Sequence, residues 1–400
     1  MPSLRQLYLS NVGQTSELPL LLEVDHANGM YIFDRDGKKY LDLNSGISVS
    51  SLGHCHPKVV SALKSQSEKY LHTMVYGEHV QSPQVKFAEL LLRQLKNKYE
   101  SVYYLMSGTE AVELGMKIAK NATNRYELIS CTNAYHGSTQ GAEALRSDLD
   151  YKSAYHPLLP GINHMRFNHL EDVNLINEGT AGVIIEAVQA EAGVIPPDIM
   201  FLIAVQKRCE EVGALFILDE IQTGFGRTGH LFAHQKYGVS PDLILIGKSM
   251  GGGMPIAGVV GSKSLMNTII KNPALGHITT FGGHPMSCAA AHASLQALLD
   301  ENVVDQVLNK EAMMKDLLQH NIIKEVRSSG LMMAVELTKR KYLKHVVKHT
   351  IENGALIDYF LFNDRSFRVA PPLIITEKQI KEGCDILLAS MDYAEAKYEK

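Results

Sequence analysis

The sequence has no strong excess of either charge: 39 basic side chains stand against 43 acidic ones, for a formal net charge of -4 over 400 residues. It also has no long run of like charges, so it offers nothing that would attract a polyanion or an anionic membrane surface, and nucleic acid is not an expected partner. No segment reaches the roughly 18 consecutive apolar residues that a spanning helix needs. The opening MPSLRQLYLSNVGQTSELPL lacks a basic start followed by an apolar stretch, and an acidic residue, Glu17, comes early. A cytoplasmic protein without a membrane partner is the expectation. Cysteine is scarce and scattered, at positions 55, 131, 209, 288 and 384, with no C-x-x-C pair to suggest zinc or a redox dithiol. A reducing compartment and small-molecule or protein partners fit this set of absences.

What is present is the composition of an ordinary globular protein, 45% hydrophobic and 20% charged. A chain of this length exceeds what one hydrophobic core usually serves, so a large domain and a smaller one are expected. There is no internal repeat and no Gly/Ser linker to mark a boundary. Changes of pattern place an N-terminal segment of the small domain at 1–56, the large domain at 57–300 and the C-terminal part of the small domain at 301–400.

Residues 20–50 alternate short apolar runs with Asn-Gly and Asp-Gly turns, the pattern of small antiparallel strands. Helical stretches such as 83–98 then alternate with the apolar runs VYYLM (102–106), AGVIIE (181–186), ALFILDE (214–220) and DLILIGK (242–248). Each run reads as a strand buried on both faces, so the fold class is α/β with a mainly parallel sheet between helices. After residue 300 the order becomes a helix over ENVVDQVLNKEAMMKDLLQH, strands over GLMMAVEL and FRVAPPLII, and a terminal helix, which suits a smaller α+β unit built from both chain ends.

In an open α/β sheet, ligands bind beyond the carboxyl ends of the parallel strands, so the residues just after these runs should share one site. The first run is followed by Ser107-Gly108-Thr109-Glu110, a capping box that marks a helix start with free backbone N–H groups and a partial positive charge. Gly108 and the Thr109 hydroxyl make a phosphate cradle a reasonable reading; plain helix capping is the other. The third run ends at Asp219, where a buried carboxylate needs a partner, such as a protonated pyridine nitrogen, or else serves as the next helix's N-cap. The fourth ends at Lys248 before three glycines. A desolvated lysine there has a lowered pKa and becomes an amine nucleophile able to form a Schiff base. Taken alone, the same lysine reads as a surface residue with its stem lying on apolar neighbours. The coincidence of cradle, acid and lysine at three strand ends of one sheet points to pyridoxal 5'-phosphate (PLP), which needs all three.

On these residues, and on GHCHP (53–57), YHG (135–137), LDEIQTGFGRTG (218–229), GKSMGGGMPIAG (247–258), HITTFGGHP (277–285) and RVAPPLI (368–374), the chain resembles the class III, fold type I PLP-dependent aminotransferases of the ornithine/acetylornithine type over nearly its whole length. The resemblance implies that Lys248 carries the cofactor and relays a proton, and that Asp219 pairs with its pyridinium nitrogen. Ile221 and Tyr135 would lie on the two faces of the ring, and Gln222 at its phenolic oxygen. Ser107, Gly108 and Thr109 would cradle the phosphate, His136 and Glu186 would complete the cofactor site, and Thr280 would reach the phosphate of a neighbouring subunit. A homodimer with its active sites at the interface follows. Arg368 would clamp a substrate carboxylate and Glu191 would pair with it until a dicarboxylic acceptor, 2-oxoglutarate, displaces it; Thr279 would also face substrate.

Three departures bear on the donor. The chain reads Tyr135-His136-Gly137-Ser138 where ornithine and acetylornithine enzymes usually read aromatic-His-Gly-Arg. Ala187 and Ala190 replace a proline and a glycine of the family pattern, and His284 replaces a common asparagine. An ω-amine, 4-aminobutyrate or diamine transaminase, or an intramolecular aminomutase, therefore stays open, as does a non-catalytic PLP-binding protein. Gly224, Gly226 and Gly229 also match G-x-G-x-x-G, but the strand ends at Asp219 and the following HLFAHQKYGVSP is short for the helix of a dinucleotide fold, which makes an NAD-dependent dehydrogenase a remote alternative.

Overall fold

In the computed structural model, residues 2–95, 98–271 and 273–398 are described. Seven strands form the central sheet: β1 (Ser101–Leu105), β2 (Glu127–Cys131), β3 (Ile162–Met165), β4 (Thr180–Glu186), β5 (Leu215–Asp219), β6 (Leu243–Ile246) and β7 (Ala257–Gly261). Their order across the sheet is β1-β7-β6-β5-β4-β2-β3. Every pairing from β6 to β3 is parallel, and β7 alone runs against its neighbours. The apolar runs have no alternation because both faces are covered. Ile184, Ile217 and Leu245 pack under helix α1 (Gly108–Thr123), while Val183, Ile185, Phe216 and Leu218 pack under the helix Ile199–Val212 on the other side.

The run at 102–106 differs from expectation. It forms β1, an edge strand, and only Leu105 is fully buried, because just one neighbour, β7, pairs with it. Three strands were not legible. The strands β2 and β3 are short runs with polar members, and β7 (AGVVG) lies in a glycine-rich stretch that reads locally as loop.

Two smaller sheets come from the chain ends. Val24–Asn28, Tyr31–Asp34 and Lys39–Asp42 pair antiparallel through the expected Asn28-Gly29 and Asp36-Gly37 turns. A fourth strand, Ala355–Leu356, joins this sheet from more than 300 residues away, parallel to Lys39–Asp42. The other sheet orders Ile323–Ser328, Met333–Leu337, Ser366–Val369 and Asp358–Tyr359, all antiparallel. The strand expected over 367–375 stops at Val369, ahead of Pro371 and Pro372, which have no N–H to give a ladder. The helix expected to follow residue 300 begins at Val307, after a 3₁₀ turn at Val304–Gln306. No helix among the described residues is long and apolar enough to cross a membrane.

Candidate active site

The register of the parallel strands assembles the site. Glu186, the last residue of β4, lies opposite Asp219, the last of β5. Lys248 follows two residues after β6 ends at Ile246, with φ at 45°, a left-handed conformation that a non-glycine residue adopts at some cost. A cavity of about 310 Å³ opens above these ends, lined by Lys248, Asp219, Glu186, His136, Tyr135 and Ile221. Gly108, Thr109 and Gln222 line it too, so the three strand-end features meet in one place.

The hydrogen bonds around the acids are specific. Asp219 Oδ2 lies 2.7 Å from His136 Nδ1, and its Oδ1 accepts the Ile221 N–H at 3.0 Å. Glu186 accepts the backbone N–H groups of Tyr135 and Ala190, each at 2.9 Å. Burial nevertheless pushes the Glu186 carboxyl up to about 7, with the neighbouring Asp219 charge adding to it against the pull of His136. Burial would lower the His136 pKa, but the hydrogen bond and charge of Asp219, with Glu186 behind it, raise it instead. His136 Nε2 is buried and finds no partner among the described residues. Lys248 is half-buried and lines the cavity, and desolvation lowers its ammonium pKa to about 8, even though Glu191, Asp219 and Glu186 pull it up. The Arg368 charge also lowers it.

The anion-binding end is helix α1. Ser107 Oγ accepts the Glu110 N–H at 3.4 Å and Glu110 Oε2 accepts the Ser107 N–H at 3.0 Å, which is the expected capping box. Ser107 thus caps the helix and does not line the cavity, whereas Gly108 and Thr109 do. A Cβ on Gly108 would sit 3.0 Å from two Ile221 carbons, so the glycine lets the helix start rest on Ile221. Gly137 has φ at 134°, and a Cβ there would lie 2.3 Å from Thr109 Oγ1. Only glycine allows the 135–138 loop to close on the helix start. The same joint is fastened by Glu113, whose Oε1 accepts the Thr139 hydroxyl at 2.6 Å and the Gly141 and Ala142 N–H groups at 3.0 and 3.1 Å.

Glu191 and Arg368 form an ion pair that is buried, not on the surface as their residue types alone would imply. Arg368 also lies 3.9 Å from Asp358 and stacks its guanidinium 4.7 Å from the Phe360 ring centroid, leaving Nε with no partner among the described residues. Neither residue lines the cavity, but Glu191 directly follows Ala190, whose N–H bonds the cavity-lining Glu186, and both charges act on Lys248. Thr279 and Thr280 do not line it either; Thr279 is half-buried and Thr280 exposed. Gln222 Nε2 donates to Ser48 Oγ at 3.4 Å.

Several contributors carried no assigned role in the sequence, although Gly137, Thr223 and Ser249 lie within the quoted motifs. Val188, Thr223 and Gly137 line the cavity, and Ser249, next to Lys248, bonds Ser51 Oγ and the Ser48 carbonyl, each at 2.7 Å. The turn that supplies these partners runs left-handed through Ser45, Gly46, Ile47 and Ser48, with φ between 48° and 63°. Strain of this kind persists only where the surroundings over-determine it. Here Asp42 Oδ1 accepts the Ser45 N–H at 2.7 Å, Ser45 Oγ donates to the Ala370 carbonyl at 2.6 Å, and the buried Arg227 reaches Ser45 and Ser51, each at 3.3 Å.

The amine titration has a measurable consequence. Only neutral Lys248 can attack a carbonyl, so the rate at which apoprotein captures PLP is expected to rise about tenfold per pH unit below the amine's pKa and to level off above about 8. Stopped-flow absorbance against pH checks this, and a rate flat from pH 6 to 9 would contradict it.

An orphaned histidine nitrogen, a carboxylate, a cavity-facing amine and a helix start around one small cavity suit an aldehyde cofactor that carries both a phosphate and a basic ring nitrogen, and so define a PLP enzyme. The family described as Aminotransferase class-III matches residues 12–391. An acetylornithine aminotransferase of Methanocaldococcus jannaschii is 37% identical, covering 94% of this chain and 93% of its own. A putrescine aminotransferase of Pectobacterium atrosepticum is 35% identical over 89% of this chain and 80% of its own. The ornithine aminotransferase of Toxoplasma gondii, a solved structure with partial occupancy of PLP at its active site, superposes with a TM-score of 0.91 at 29% identity, covering 98% of this chain and 94% of that one. The chain belongs to the class III aminotransferases, PLP-dependent enzymes that transfer amino groups.

Proposed function

We propose that this enzyme takes the terminal amine of an aliphatic donor in the ornithine size class and delivers it to 2-oxoglutarate in two half-reactions at one site. The observation that carries this reading is the buried Glu191–Arg368 pair beside Lys248. With the pair closed, the site presents no free guanidinium and admits a donor by its amine end. When Glu191 is displaced, Arg368 offers the planar fork that binds the α-carboxylate of a dicarboxylic acceptor.

PLP, when bound, supplies an electron sink for negative charge developing at the substrate carbon. Lys248 Nζ holds the cofactor and afterwards carries the proton to and from that carbon. Asp219 keeps a proton on the cofactor's ring nitrogen and is itself positioned by His136. Ile221, Tyr135, Gln222 and Glu186, which line the cavity, would hold the ring, and Gly108 and Thr109 would hold its phosphate. A second copy of the chain fits this reading, because Thr280, Ile278 and Phe281 are exposed in the single chain on the segment expected to complete a neighbour's phosphate site. A cytoplasmic setting accords with the cysteine usage.

The direct test is the visible spectrum of the PLP-loaded protein, titrated with single donors and then with 2-oxoglutarate. Loss of the cofactor band with a terminal amine and its return with 2-oxoglutarate supports the reading; a band that no donor changes refutes it. Arg368→Gln is expected to lower kcat/KM for 2-oxoglutarate roughly 10- to 150-fold, the worth of hydrogen bonds to a charged group. Steady-state kinetics should show most of that loss in the acceptor half-reaction.

A further inference from the structure

A second cavity, of about 570 Å³, adjoins the cofactor cavity, with Tyr135 and Ser138 lining both. Ser138 takes the place of the arginine in the family pattern aromatic-His-Gly-Arg, and its hydroxyl lies 3.2 Å from Tyr135 Oη. The second cavity does contain one guanidinium, that of Arg146, but all three of its nitrogens already donate to carboxylates. Arg146 Nε and Nη2 donate to the two Asp148 oxygens at 2.9 and 3.1 Å, and Nη1 donates to Glu143 Oε1 at 3.4 Å. Its Cζ lies 5.7, 5.3 and 5.4 Å from the ring centroids of Tyr135, Tyr151 and Phe362. Arg146 is only 4% exposed, so the pairing is not a loose surface contact. The nearby Lys152 ammonium donates to the Arg146 carbonyl oxygen.

Resting on the transaminase reading above, we propose that this second cavity receives the far end of the amino donor, and that the masking of Arg146 by Asp148 and Glu143 selects an aliphatic α,ω-diamine over donors with a carboxylate there. A carboxylate entering past Ser138 meets the like charge of Glu143, or must strip Asp148 from Arg146 and leave a buried charge unpaired. Either is costly. An ammonium meets the Glu143 carboxylate and the aromatic side chains of Tyr151 and Tyr155, a more favourable setting for a cation than for an anion.

The test uses PLP-loaded enzyme and four amines separately: 1,4-diaminobutane, ornithine, N-acetylornithine and glutamate, each followed through the donor half-reaction by loss of the cofactor band. The expected result is a kcat/KM for 1,4-diaminobutane at least tenfold above those for ornithine and N-acetylornithine. Either carboxylate-bearing donor matching or exceeding the diamine overturns the proposal. Glutamate enters through Arg368, so its reaction shows that the transaminase reading stands even when the diamine preference fails; no reaction with any amine sinks both. In Asp148→Asn the ratio of N-acetylornithine to diamine activity is expected to rise at least tenfold, with circular dichroism confirming the fold. An unchanged ratio in folded variant overturns the masking role, and if the variant does not fold, the wild-type panel decides alone.

Discussion

Lys248→Ala protein is expected to lose amine turnover by at least about 10²- to 10⁴-fold, the range that a positioned proton-transfer group contributes. Two functions are lost at once. The side chain is the only amine lining the cavity among the described residues, and desolvation has already lowered its pKa to about 8, near the value at which an amine both accepts and returns a proton at neutral pH. The strained backbone at position 248 tolerates alanine no better than lysine, so the variant should keep the fold while losing the chemistry. Single-turnover absorbance with a reactive donor, compared with wild type, reads the effect. Wild-type turnover in this variant would remove the central claim.

Asp219→Ala is expected to cost roughly 10²- to 10³-fold in kcat, the scale for removing one preorganised electrostatic partner from a water-poor site. Asp219 Oδ2 holds His136 Nδ1 at 2.7 Å, and the carboxylate is what raises the His136 pKa against its burial. Without it, His136 loses its orienting acceptor and Glu186 remains as the only carboxylate lining the cavity among the described residues, itself pushed up to about 7. The cofactor nitrogen would then have no acid paired to it. Asp219→Asn separates charge from shape: it keeps an acceptor for His136, so activity near that of Asp219→Ala would place the effect in the charge. Activity near wild type in both variants would mean that Asp219 only fastens the turn at Ile221.

Much of the core site was legible because the chemistry sits at the ends of long, uniformly apolar strands. Asp219 and Lys248 each follow such a run immediately, and the rule that ligands gather beyond parallel strand ends brings them together without coordinates. The Ser107–Glu110 capping box was equally local, a four-residue pattern that forms as written. Ser107 shows the boundary of that inference: its hydroxyl is used by the helix, not presented to the cavity.

What escaped the sequence was long-range and polar. The fastening of α1 by Glu113, the serine contacts between residues 48, 51 and 249, and the burial of Arg227 depend on segments distant in the chain and carry no periodicity. The 45–48 turn has no glycine at three of its four positions, so nothing local announces a left-handed path; contacts to Ala370 and Arg227 impose it. Glu191 and Arg368 were paired by resemblance, but residue type alone put them at the surface, and only the sheet that carries Ser366–Val369 buries them.

The sequence by itself determined the α/β class and that Asp219 and Lys248 stand at the ends of two apolar strands, since these follow from hydrophobic runs that stop abruptly at polar residues. Only the tertiary structure decided that Ser107 caps while Gly108 and Thr109 face the cavity, and that the guanidinium of Arg146 is already occupied beside Ser138. The reason is physical: apolar burial is written in local pattern, whereas which hydrogen-bond partner a polar group finds depends on what distant chain is folded against it.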